Sequence, residues 1–178
     1  MVAVVGMTGS GKSEVAKFFS EKGFATVRFG DITDEELRQR GLPLTEENER
    51  PARERIRKEY GMAAYAKLSL PRIDKALKTS NVVVDGLYSW EEYNYLKEHY
   101  GDKFMVVAVW ASPQDRYARL TGREVRPLTQ QEAMKRDRAE IENLNKGGPI
   151  AMADFTIINQ ASLRDLRKQV GRIMGRLK

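Results

Sequence analysis

The segment Gly6-Met7-Thr8-Gly9-Ser10-Gly11-Lys12-Ser13 bears most directly on chemistry. Its spacing, G-x-x-x-x-G-K-[ST], is that of a loop that cradles phosphates. A triphosphate is highly anionic, and backbone N–H groups must approach it closely. Gly6, Gly9 and Gly11 lack the Cβ atoms that would block that approach. The N–H groups then form a concave anion nest, with the positive end of a helix dipole behind it. Lys12 is placed to reach the β- and γ-phosphates, and the Ser13 hydroxyl to ligate Mg²⁺. A glycine-rich turn could match the spacing by chance, but it would lack the flanking elements. Here residues 1–5 are apolar and β-branched, as in a buried parallel strand. Residues 14–19 follow as a helix with Val15, Phe18 and Phe19 on one face.

Two carboxylates and a set of arginines complete the reactive inventory. Asp85 closes the run Val82-Val83-Val84, the setting of a Walker-B-type acid that ligates Mg²⁺ or orients its water. Its bland alternative is an aspartate that starts a turn before Gly86. Asp31 ends the second apolar strand, where an acceptor would face the γ-phosphate. A hydroxyl acceptor could use it as general base, whereas a phosphate acceptor needs none. The alternative is a helix-capping aspartate. Arg116, Arg119 and Arg123 recur at i, i+3 and i+7, so they share one helix face, and Arg126 follows in a short loop. Phosphoryl transfer needs cations over the migrating group, and guanidinium supplies them bidentately. Arg119 and Arg123 are therefore the candidates for a closing lid over residues 120–138. Arg136 with Glu140 and Arg138 with Glu142 read as i,i+4 surface pairs. The single histidine, His99, reads as surface, Trp90 and Trp110 as packing residues, and the methionines as core.

These groups must be positioned by elements that alternate between strand and helix. Further strands are expected at 24–29, 82–84, 104–109 and 155–158. Helices are expected at 34–40, from about Asn48 to 60, at 62–78 around Pro71, and at 90–100, 113–121, 129–145 and 163–177. Pro51 falls in the first turn of the second of these, where proline is tolerated. That helix is strongly charged and reads as i,i+4 ion pairs or as a mobile cover over substrate. Thr129 with Glu132 forms a capping box, and Leu163, Leu166, Val170 and Ile173 face inward on the last helix. The pattern predicts an α/β chain folded as a three-layer α/β/α sandwich around a parallel five-stranded sheet. Ligands in such sheets sit at the carboxyl ends of the strands. Residues 6–13, 30–31, 85–86 and 159–160 should therefore converge on one cleft.

At 178 residues, the chain has room for one well-cored domain, with an acceptor-side helical segment at about 34–79 and the lid at about 120–138. Hydrophobic residues make up 41% and charged residues 31%, the balance of a folded rather than a disordered chain. No apolar run approaches the roughly 20 residues of a membrane span, so no membrane partner is expected. The absence of cysteine excludes a disulfide framework and fits a cytoplasmic location. The net charge of +6 suits anionic ligands, from nucleotides to RNA, although nucleic acid is not the favoured partner.

In motif order the chain resembles the nucleoside monophosphate kinase group of P-loop proteins. Gly30-Asp31, Val84-Asp85-Gly86 and Arg119-Leu120-Thr121-Gly122-Arg123 resemble the adenylate kinase motifs after strands two, three and four. The tail from Ala153-Asp154 to Asn159 is similar to dephospho-CoA kinase. As a whole the chain looks like an archaeal family described as adenylate-kinase-related or dephospho-CoA-kinase-like. It departs from adenylate kinases at Phe29, where they have threonine, and at Asp34, where they have an acceptor-binding arginine. The resemblance implies the P-loop nucleoside triphosphate hydrolase fold and places Asn159 beside the adenine. It also implies Mg²⁺, ATP as donor, and a small anionic, nucleotide-like acceptor. Alternatives are hydroxyl phosphorylation of a dephospho-CoA-like acceptor, or an ATP-dependent switch or weak ATPase acting through a protein or RNA. In each of these readings Lys12→Ala weakens ATP binding roughly tenfold or more, since a charge-assisted hydrogen bond is lost. The circular dichroism spectrum should stay native; unchanged ATP affinity would refute the assignment of the loop.

Overall fold

Strand alternation at the centre of the sheet sets the architecture. In the computed structural model, which describes residues 1–124 and 127–177, β1 spans Val2–Val5. Ala3 and Val5 point into one apolar core and Val2 and Val4 into the other, as a period of two requires. The sheet is fully parallel, in the order β2-β3-β1-β4-β5, with β2 at Ala25–Arg28, β3 at Val82–Asp85, β4 at Met105–Trp110 and β5 at Phe155–Ile158. The first core packs under α3 (Glu46–Tyr60), α4 (Ala64–Leu77) and α5 (Trp90–Tyr100), through Ile56, Tyr65, Ile73 and Leu96. The second packs under α1 (Lys12–Ser20) and α9 (Leu163–Met174), through Phe19, Leu166, Val170 and Ile173. The expected three-layer α/β/α sandwich is what forms. The chain leaves β1 toward β2 and later crosses β1 to reach β4. A crevice therefore opens at the carboxyl end of β1.

Three further helices border that crevice. The helix α2 (Gly30–Gln39) begins directly after β2. The helices α6 (Pro113–Thr121) and α7 (Gln130–Glu142) enclose a small apolar cluster of their own, Leu120, Leu128 and Ala133. A short α8 (Gly147–Ala151) leads into β5. No described helix is long and apolar enough to cross a membrane.

Several expectations are corrected. The helix expected at 34–40 starts at Gly30, so Asp31 lies in its first turn rather than in a loop. Helix α3 begins at Glu46 with Thr45 as its N-cap, so Pro51 sits in the second turn rather than the first. Helix α4 runs unbroken through Pro71. The helix expected to reach Asn145 ends at Glu142, and α8 was not foreseen because two adjacent glycines and a proline carry little helical signal. Leu163, the first residue of α9, is 54% exposed rather than inward. Met134 and Met152 are exposed rather than core. Trp110, at the end of β4, is 46% exposed and borders a cavity with Met7, Ile141 and Ile150. Trp90 packs as expected, stacked on Tyr93 at 5.1 Å, and His99 is exposed. Arg126 lies outside the described residues.

Ile73 is fully buried where α4 meets the sheet. Ile73→Ala should lower unfolding free energy by about 2–5 kcal/mol in urea titrations.

Candidate active site

The loop at 6–13 leaves β1, and α1 begins at Lys12, so the amides of that helix's first turn face the crevice. Gly9 and Gly11 have φ of +83° and +97°, where a side chain is strained. A Cβ on Gly9 would sit 2.8 Å from the Arg116 carbonyl oxygen, and one on Gly11 would overlap the Asn159 amide. Lys12 folds back and donates from Nζ to the Met7 carbonyl at 2.9 Å, inside its own loop. Burial pushes Lys12 down to about 7, and Lys146 adds to this, while Glu140 and Asp85 act in the opposite sense. An arriving phosphate would relieve that cost.

Asp85 ends β3 in register with Val4 of β1 on one side and Arg28 of β2 on the other. Burial raises its carboxyl, and Lys12, the Ser13 hydroxyl and Arg28 pull it back. Ser13 and Asp85 are thus brought together, as expected. Two hard oxygen donors, one of them a buried carboxylate with raised proton affinity, suit Mg²⁺, which takes few protein ligands and fills its shell with water and phosphate oxygens. Among the described residues no group of three or more His, Cys, Asp or Glu side chains could hold a metal by itself.

On the acceptor side Arg28 Nη1 donates to Asp31 Oδ1 at 2.8 Å and to Asp34 Oδ2 at 2.7 Å. Asp31 is therefore not a lone carboxylate. Asp34, which occupies the place of the adenylate kinase arginine, holds an arginine that comes from β2 instead.

The three arginines expected on one helix face have different fates. Arg116 is buried and bidentate on Asp137, at 2.7 and 2.5 Å, and donates to the Thr8 carbonyl at 3.0 Å. Arg119 donates to the Asn159 carbonyl at 2.7 Å and reaches the Gly9 carbonyl at 3.5 Å, so it lies on the loop. Arg123 lies beyond the end of α6, exposed, with its guanidinium lowered by local burial and by Arg136. Asn159 does reach the site, but its side chain donates to the Ser10 carbonyl at 2.8 Å and thereby braces the loop.

Sequence reasoning missed the groups that brace the loop from α7. The Arg136–Glu140 pair forms, at 3.5 Å, yet Glu140 is only 7% exposed. It accepts from the Thr8 hydroxyl at 2.5 Å and from Lys146 Nζ at 2.9 Å. Burial alone would raise the Glu140 carboxyl; Lys146, Lys12, Thr8 and Arg136 outweigh it and hold it well below the usual range. Lys146 is 1% exposed and also lies over the Tyr88 ring at 5.3 Å. The one available signal was the i,i+3 spacing of Asp137 and Glu140, which faces both acids toward the loop.

The comparisons agree with this geometry. Residues 2–143 match a family described as an AAA domain, a class of P-loop protein. The chain is 36% identical over 181 residues to a UPF0200 protein of Thermococcus sibiricus, covering 99% of this chain and 95% of that one. It is 38% identical over 178 residues to a UPF0200 protein of Thermococcus kodakarensis, covering 98% and 96%. The chain belongs to this UPF0200 family of archaeal P-loop proteins. Among solved structures it is similar to TT1252 from Thermus thermophilus, with a TM-score of 0.64 at 17% identity, covering 99% of this chain and 97% of that one. A shikimate kinase from Bacteroides thetaiotaomicron superposes with a TM-score of 0.63 at 14% identity, again over 99% and 97%. For a gluconokinase from Sinorhizobium meliloti the TM-score is 0.57 at 16% identity, over 99% and 94%. At such identities these likenesses establish the P-loop fold.

Removing the charge of Glu140 strands a buried lysine, so Glu140→Gln should cost about 3–5 kcal/mol in urea unfolding. Glu140→Gln combined with Lys146→Met should recover most of that loss. Equal losses in the single and double variants would refute the pairing. Because the folded-state value is depressed, the Glu140 contribution is present at neutral pH and declines as pH falls below about 4.3.

Proposed function

We propose that this protein transfers the γ-phosphoryl group of Mg²⁺-ATP to a small nucleotide-like acceptor. The observation that carries the reading is the convergence of Lys12, Ser13 and Asp85 at the carboxyl ends of β1 and β3, with Arg28 and Asp31 facing them from β2 and α2. The likeness to kinases in fold supports it.

In this reading the amides of loop 6–13 and Lys12 hold the β- and γ-phosphates. Lys12 exchanges the Met7 carbonyl for a phosphate oxygen. Ser13 and Asp85 would hold Mg²⁺, which would supply charge neutralisation on the phosphate oxygens. Arg119 covers the loop from α6, and Arg123, just past the end of that helix, is the second cation for the migrating group. Arg136, on α7, is held by Glu46 at 3.1 Å and by Glu140. Asn159 borders the nucleotide on the β5 side. Helices α2 to α4 form the acceptor wall, with Asp31 at its inner end.

One observation favours a hydroxyl acceptor as a second reading. Arg28 fixes Asp31 at 2.8 Å while the carboxylate stays half-exposed toward the cleft, the placement of a general base. Purified protein with Mg²⁺-ATP and a panel of nucleoside monophosphates, dephospho-CoA and RNA tests both. The expected result is acceptor-dependent ADP release. Transfer to none of them, together with ATP-dependent binding of RNA or a protein, would overturn the kinase reading. Asp31→Asn then separates the acceptors: a loss in kcat of roughly 10²–10⁴-fold marks a hydroxyl. A loss below about tenfold marks a phosphate, which needs no base.

A further inference from the structure

The acceptor-side helices carry many arginines, and nearly all are committed. Arg28 holds Asp31 and Asp34, Arg53 holds Glu46 and Glu49, Arg55 holds Glu36, and Arg72 holds Glu35. The side chain of Arg57, half-buried on α3, makes no hydrogen bond or ion pair among the described residues. Its guanidinium lies over the Tyr65 ring, 4.9 Å from the centroid, and its buried Nε–H has no acceptor.

A second orphan lies within electrostatic reach of it. Glu92 is fully buried at the start of α5. Its Oε2 accepts from the Tyr88 and Ser89 amides at 2.8 and 3.2 Å, while Oε1 has no partner. A buried polar atom without a partner is costly, so this complementary pair, an N–H donor on Arg57 and an acceptor on Glu92, calls for a group that satisfies both. With its face over Tyr65, the Arg57 guanidinium makes no hydrogen bond among the described residues, and its planar fork is the kind that grips an oxyanion bidentately. Burial pushes Glu92 up to about 7, against the pull of Arg57 and the two amides, so an anion beside it need not face a full negative charge. The place is also right for an acceptor. Tyr65 meets Tyr88 edge-on at 5.7 Å, and Tyr88 closes over Gly86, next to Asp85.

We propose that Arg57, Tyr65 and Glu92 form the acceptor-recognition subsite, and that it takes a small acceptor bearing an oxyanion, either carboxylate or phosphate, together with a hydroxyl. Arg57 binds the oxyanion, and Glu92 Oε1 meets the hydroxyl. This rests on the phosphotransferase reading above, since Asp85 and the loop define the donor side.

Protein loaded with Mg²⁺-ADP, so that the loop is filled, is titrated with inorganic phosphate, lactate and glycerol. The backbone amides of Tyr88 and Ser89, which bond Glu92, are followed by NMR. Saturable shifts with phosphate or lactate and none with glycerol are expected. Preference between the first two identifies the oxyanion. In Arg57→Gln the dissociation constant should rise about tenfold to a hundredfold, with Arg57→Lys intermediate and the thermal midpoint near that of the native chain. No shift with either anion, or equal affinity in Arg57→Gln, would overturn the subsite and leave water as the bridging group. Anion binding at Arg57 without phosphoryl transfer to any acceptor would instead remove the kinase reading. Transfer that proceeds with an unchanged acceptor KM in Arg57→Gln would remove the subsite alone.

Discussion

A buried lysine must find a carboxylate, and the carboxylate that Lys146 finds is also the one that holds the phosphate loop. Glu140 ties three parts of the chain together: Thr8 in the loop, Arg136 on its own helix, and Lys146 between α7 and α8. One turn earlier on α7, Asp137 fixes Arg116, which reaches the Thr8 carbonyl. The loop is thus clamped through both the side chain and the backbone of a single residue. Neither clamp can be loosened cheaply, because each would leave a charge in a low-dielectric interior. Both acids lie on α7. Whatever repositions that helix must therefore act on the loop that grips phosphate.

The remainder of the cleft follows the same economy of charge. Cations gathered for an anionic ligand repel one another while the site is empty, and the fold answers with carboxylates at the periphery and carbonyls inside. Lys12 rests on the Met7 carbonyl, Arg119 on the carbonyls of Gly9 and Asn159, and Arg28 between two aspartates. A cation's bond to a neutral carbonyl lacks the attraction of an opposite charge, so Lys12 and Arg119 can be drawn away by phosphate. The doubly paired Arg28 stays where it is, as a fixed wall beside Asp85.

The sequence made the sheet legible because its central strands are buried on both faces and read as unbroken apolar runs. Residues 82–85 are the clearest case. The placement of Lys12, Ser13 and Asp85 was equally readable, since they follow or end those strands. Glu140 and Lys146 were hidden because local spacing suggested a surface pair for Glu140, while burial depends on a partner 132 residues away in Thr8. Arg57 was hidden for the opposite reason. It sits in a run of alternating charges, and only the pairing pattern of the folded chain shows which arginine is left over. Trp110 misled because a residue after a core strand is ordinarily covered, whereas the cleft begins there.

That exposed indole has an optical consequence. The chain has two tryptophans; Trp90 is stacked on Tyr93 away from the loop, and Trp110 stands beside Met7 at the loop's outer rim. Their emission should separate into a shielded component and a water-quenched, red-shifted one. The second would serve as a native fluorophore, reporting on the phosphate loop in the unlabelled protein.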